Sequence, residues 1–266
     1  MGQRISRAKR VLADQRASFE VPSAEERTQR LSDVMAVIYL IFNEGYSATA
    51  GDHWMRPELC QEALRLCRML SALEPRESEV LGLQALLEIQ ASRTSARTDA
   101  NGEPVLLEAQ DRTRWDHLLI RRGFDALDRA RALGQPAGPY LLQAAIAATH
   151  ARARRAQETD WVRIAELYDI LARLTPSPVV EVNRAVAHGR AFGPEAGLAI
   201  LQPLGDDPAM AASHLLPSVR GDLLARAGRT DAAITAFLDA AALTRNEKER
   251  ALLRQRARRL RRCTPD

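Results

Sequence analysis

A train of helical periods joined by short turns, with no convincing strand run anywhere, limits this chain to an all-α fold. After a linker, the periods predict helices from Ser23 to about Asn43, Pro57 to Leu73, Ser78 to Ser92 and Thr113 to Leu133. They resume over Pro139 to Arg155, Asp160 to Leu174, Pro178 to Arg190, Pro194 to Leu204, Ala211 to Ala227, Thr230 to Leu243 and Glu247 to Arg262. Ser23 and Glu26 form a capping box, and Pro57 suits the first turn of its helix. Residues 3 to 16 read as a helix without an N-cap, as if the chain started inside an element. The longest irregular stretch runs from Ser92 to Asp111, with turns at Asp99, Asn101, Gly102 and Pro104; Val105, Leu106 and Leu107 are expected to tuck back onto the body. Composition agrees: Ala, Leu and Arg dominate and aromatics are only 5%, which favours helix over sheet.

Repetition in helix order calls for a search for repeats. Gly221, Leu224, Gly228, Ala233, Phe237 and Ala240 fall at the small and large positions of a tetratricopeptide repeat. Gly221 and Ala233 would let two helices approach closely, with Phe237 in the groove between them. Tyr168, Leu171, Pro176 and Ala185 fit the same pattern loosely. The last helix, with Ala251, Leu252, Leu253, Ala257 and Leu260 facing inward and arginines elsewhere, suits a solvating cap. The expected architecture is a helical-hairpin, tetratricopeptide-like array of about ten or eleven helices, whose groove would hold a protein or peptide partner.

Val34 to Tyr46 is the most distinctive stretch. Leu31, Val34, Met35, Ile38, Leu40, Ile41 and Phe42 make an apolar surface too wide for one stripe, so this helix should be buried on several sides. Asn43, Glu44, Gly45 and Tyr46 then end it. Two readings stand side by side. Gly45 closes the helix in the left-handed conformation, or Asn43, Glu44 and Tyr46 form a polar cluster at a contact surface.

No catalytic set, metal-ligand spacing or cofactor motif emerges. His53, His117, His150, His188 and His214 are scattered, and there is no glycine-rich phosphate loop or nucleophile elbow. Asp116, His117, Arg121 and Arg122 read as a salt-bridged helix face. Cys60 and Cys67, seven apart on one helix, stand about 10 Å apart, too far to bridge, and read as core thiols. With no apolar run of membrane length and no secretion signal, a cytoplasmic protein that binds rather than catalyses is expected. The net charge of +4 is modest, but arginines gather at both ends of the chain.

Several stretches together resemble the C-terminal part of an extracytoplasmic-function sigma factor with a tetratricopeptide-like extension. Gln3-Arg4-Ile5-Ser6-Arg7-Ala8-Lys9-Arg10 is similar to the end of the recognition helix of sigma region 4, and Phe19-Glu20-Val21-Pro22 to the linker after it. Tyr39 to Tyr46, Gly102 to Leu107 with Gln110-Asp111-Arg112, Gly138 to Ala148 and Ser177 to Ala187 resemble blocks of the extension. On this resemblance residues 1–17 are the tail of region 4, 18–30 a linker and helix start, and 31–266 the regulatory extension. The implied partners of the intact protein are core RNA polymerase and promoter DNA. Region 2 and the base-reading part of region 4 are not in this sequence. Arg4, Arg7, Lys9 and Arg10 are therefore left as phosphate contacts that position rather than specify. The Asn43-Glu44-Gly45-Tyr46 corner is expected to dock on region 4 or on an early helix of the extension. Two other readings remain: a free-standing helical scaffold, and a small-molecule sensor with a pocket lined by Glu44, His53, Trp54 or His117.

Overall fold

The computed structural model describes residues 10, 11 and 23–263. Arg4, Arg7 and Lys9, with most of the helix expected over residues 3 to 16, lie outside the described residues; Arg10 is exposed. The chain divides into two compact units, residues 1–36 and 37–266. In the first, the capping box forms as expected: the Ser23 backbone N–H donates to Glu26 Oε2 at 2.9 Å and the Glu26 N–H to Ser23 Oγ at 3.3 Å.

The described residues hold eleven α-helices. They are α1 (Ala24–Tyr46), α2 (Pro57–Leu73), α3 (Ser78–Ala91), α4 (His117–Ala132), α5 (Pro139–Arg152), α6 (Trp161–Leu174), α7 (Pro178–Ala191), α8 (Pro194–Leu201), α9 (Leu215–Arg226), α10 (Thr230–Leu243) and α11 (Glu247–Cys263). Among the described residues there is no strand, only two isolated bridges. The expected boundaries shift by three residues or more at five places: α1 runs on to Tyr46, α4 starts only after Asp116, α5 ends at Arg152, α8 passes into a 3₁₀ turn over Gln202–Asp206, and α9 begins at Leu215. No described helix is long and apolar enough to cross a membrane.

In the second unit, α3 is the central strut. Its Val80, Leu81, Leu83, Leu87 and Ile89 are at most 1% exposed, because α2, α4 and α5 all pack on it. Beyond it the helices pair with their neighbours in sequence: α6 with α7, α7 with α8, α9 with α10 and α10 with α11. This is an array of helical hairpins. The α9–α10 pair meets as its residues predict. A Cβ on Gly221 would stand 2.8 Å from the Phe237 ring, so only glycine admits that ring. Phe237 is 1% exposed, and Ala233 and Ala240 are fully buried beside it. On α11, Leu253 and Ala257 are buried, but Ala251 faces solvent, against expectation. Arg256 instead turns inward, pairing with Asp222 and lying 4.3 Å over the Phe237 ring.

The array also closes on itself. The loop after α1 meets the turn before α11, with Gly51 bridged to Asn246. Asn246 is 1% exposed; its Nδ2 donates to the carbonyls of Ala48 (3.0 Å) and His53 (2.8 Å), and its Oδ1 accepts from the Glu249 N–H. Asn246→Ala would leave both carbonyls without that donor. It is expected to lower unfolding stability by about 1–2 kcal/mol in urea titrations; an unchanged midpoint would mean that the closure contributes nothing.

The irregular segment expected over Ser92 to Asp111 runs on to Asp116, and the expected tucking of Val105 to Leu107 holds only in part. It folds on itself through Val105 N–H to Arg97 O (2.8 Å) and returns to the end of α3 through Asp116 N–H to Ser92 O (2.8 Å). Its acids then reach across the array: Glu103 to Lys248 at 2.5 Å, and Glu108 to both Arg190 and Arg226. Leu107 is half-buried and Leu106 exposed.

Candidate functional site

The corner that ends α1 is seated against α5 and the entry to α2. Tyr39 donates its hydroxyl to Gln143 Oε1 on α5 at 2.9 Å and meets Tyr140 edge-on. Burial raises the Tyr39 hydroxyl pKa. Phe42, 1% exposed, stacks on Tyr46. Gly45 is not left-handed: it lies inside α1 and is absent from the positive-φ glycines. Its role is steric, because the first turn of α2 presses on it. Glu44 accepts from the Thr49 N–H (3.2 Å) and hydroxyl (2.5 Å) and pairs with Arg56 at 3.1 Å, which ties down the loop after α1. Asn43 is exposed. Nor is the helix buried all round: Val37 and Leu40 are 56% and 65% exposed.

Below the corner lies a group of arginines that the residue pattern did not flag. Arg93 and Arg97 follow the end of α3 and are each only 9% exposed. Arg112, half-buried, comes from a 3₁₀ turn over Arg112–Arg114. No ion pair among the described residues includes any of the three. A buried cation without a counter-charge is costly, and aromatic faces offset part of that cost. The Arg97 guanidinium lies 3.5 Å over the Tyr46 ring and 5.5 Å from that of Trp54; Arg93 lies 5.7 Å from Tyr46 and 5.9 Å from Trp115. Arg112 stacks 4.8 Å over Trp115 and donates to the carbonyls of His150 and Ala153, both at 2.6 Å. Burial pulls the Arg97 and Arg112 pKa values down.

Polar atoms without a partner gather in the same place. Arg93 Nε, Arg112 Nε, Trp115 Nε1 and His150 Nδ1 are buried and unsatisfied. Burial, helped by the charges of Arg93 and Arg112, pushes His150 down to about 3, so its imidazole is neutral at ordinary pH. His150 meets Trp161 edge-on at 5.1 Å. Between α3, α5, α6 and α7 a half-enclosed cavity of about 260 Å³ opens beside these groups. Gln90, Arg93, Gln143, His150, Trp161 and Tyr168 line it, with Leu86, Ile146 and Ile164 as apolar wall.

This is not the pocket expected from local clustering. His117 borders a separate opening with Arg112, Trp115 and Phe124, and neither opening is lined by Glu44, His53 or Trp54. Asp116 does not form the expected ion-paired face with Arg121 and Arg122. It caps α4, accepting from the Leu118 and Leu119 N–H groups at 2.8 and 3.0 Å. Cys60 and Cys67 are buried free thiols, as read, and burial pushes them up to about 11 and about 12. The interior cavity itself had a faint sequence signal: Arg93 closely follows the end of α3, a helix with most of its residues apolar.

A family of unknown function, DUF6596, matches residues 30–131, a range that holds the corner and all three arginines. The chain is also similar to an uncharacterized protein of Rhizobium meliloti (strain 1021), at 49% identity over 254 residues. That match takes in 96% of this chain but 59% of the relative, so the chain spans about three fifths of the relative's length.

Proposed function

We propose that this chain is the regulatory, protein-contacting extension of an extracytoplasmic-function sigma factor, acting in transcription initiation without catalysis of its own. The observation that carries the reading is the seating of α1. The helix that begins at the capping box after the region-4-like tail and linker ends locked into the array by Tyr39, Phe42, Glu44 and Tyr46. A helix held in this way would transmit changes in the array towards the linker. The longer relative, with part of its length outside the match, is compatible with such an arrangement. Core RNA polymerase and promoter DNA would be partners of the intact protein, with Arg4, Arg7, Lys9 and Arg10 adding phosphate contacts. A protein or peptide entering the array beside the long loop would have to displace Glu108 from Arg190 and Arg226.

The test is Glu44→Ala in the intact protein. Its ion pair with Arg56 is partly exposed and contributes at most about 1 kcal/mol, so the fold should survive. Transcription from the cognate promoter should change several-fold as the loop after α1 loosens. Unchanged transcription would sink the coupling. Failure of the intact protein to recover RNA polymerase from lysate would favour the free-standing scaffold. The small-molecule sensor remains the second reading because of the interior cavity.

A further inference from the structure

We propose that the cavity between α3, α5, α6 and α7 binds a small organic carboxylate, and that Arg93 holds its charge. Arg93 is 9% exposed, lines the cavity, and its Nε has no partner. Among the described residues its guanidinium donates to neutral Gln90 and lies near the rings of Tyr46 and Trp115. Arg112 adds a second positive charge nearby without cancelling the first, since both act on His150. Arg93 thus brings positive charge to the cavity wall, and no acidic side chain is among the described residues that line it. A bound anion would remove that cost, and a guanidinium fork matches a carboxylate in particular.

The rest of the lining narrows the class. At about 260 Å³ the cavity lies just below the size of typical drug-binding pockets, about 300–1,000 Å³. It suits an acid of about ten heavy atoms rather than a nucleotide or a peptide. Leu86, Ile146, Ile164 and Trp161 offer apolar and aromatic surface for a hydrophobic body, where a bare inorganic anion would gain nothing. His150, which also lines the cavity and whose Nδ1 is buried without a partner, adds a neutral polar group. Gln143 also lines the cavity while its Oε1 holds the Tyr39 hydroxyl of α1 at 2.9 Å. An occupant that engages Gln143 therefore competes for a contact that seats α1. The binding claim stands without the sigma-factor reading; only an effect on transcription would rest on it.

The purified chain is titrated calorimetrically with benzoate, with benzamide as its uncharged counterpart and with inorganic phosphate as a compact anion. Benzoate is expected to bind at millimolar concentration or below, and benzamide and phosphate at least about tenfold more weakly. Arg93→Gln should lower benzoate affinity by about tenfold or more and erase the preference over benzamide. Val186→Phe, which narrows the cavity and leaves Arg93 in place, should also abolish binding; it decides the matter if Arg93→Gln fails to fold. The proposal is overturned if benzoate gives no binding, if benzamide or phosphate binds as tightly, or if either folded variant keeps the wild-type affinity.

Discussion

Arg68→Met is expected to destabilise the chain by about 3–5 kcal/mol, a large loss for a side chain that reaches the surface. The reason lies with its partner. Glu88 sits in the last turn of α3 with its side chain fully buried, and its oxygens are held by Arg68 Nε at 2.7 Å and Nη2 at 2.9 Å. Arg68 itself is 39% exposed, so it reaches in from the surface of α2 to neutralise a carboxylate that has no route to water. Removing the arginine strands a charge among the buried apolar side chains of α3. Removing both charges together does not: Arg68→Met combined with Glu88→Leu should recover most of the loss, since a packed apolar pair often equals a buried ion pair. Urea unfolding of both variants at neutral pH checks this. A single variant within about 1 kcal/mol of wild type would mean that Glu88 finds another partner or takes up a proton.

That ion pair shows where sequence reasoning runs out. The order of helices, the Ser23–Glu26 box and the Gly221–Phe237 contact were legible because each depends on residues within a turn or one hairpin of each other. Helical periodicity separates inward from outward faces, and a small residue opposite a large one marks a close approach. Glu88 was not legible, because an acid in an apolar period reads as a surface position until its partner twenty residues away is known. Asn246 was less so: its contacts to Ala48 and His53 span 198 and 193 positions, and no local pattern reports them. The corner was half legible. Glu44 and Tyr46 make separate contacts and Asn43 is exposed, while Gly45, read as a left-handed helix end, lies inside α1. Arg93 of the cavity and its neighbours Arg97 and Arg112 were hidden by a sound prior, that arginine is mostly exposed, which fails where aromatic rings are placed to receive it.

Gly45→Ala is expected to lose about 2–3 kcal/mol, at the upper end of what overpacking usually costs, and to loosen α1 more than the rest. A Cβ at Gly45 would lie 2.6 Å from Cys60 N, 2.8 Å from Leu59 Cβ and 2.9 Å from Arg56 O. Two of these are backbone atoms of the α2 entry, which cannot swing aside as a side chain does, and the Gly45 carbonyl is itself fixed by the Arg56 N–H at 2.7 Å. Alanine's better helix propensity returns at most about 1 kcal/mol, less near a helix end. The strain should be relieved by lifting the last turns of α1, so amide exchange should quicken in residues 37–46 before it does in α3. Gly45→Asn separates this from the helix-ending role. A left-handed position tolerates asparagine better than alanine, whereas a crowded helical one rejects the larger side chain at least as strongly. If the asparagine variant is the more stable of the two, the close approach of α1 and α2 is not what makes Gly45 necessary.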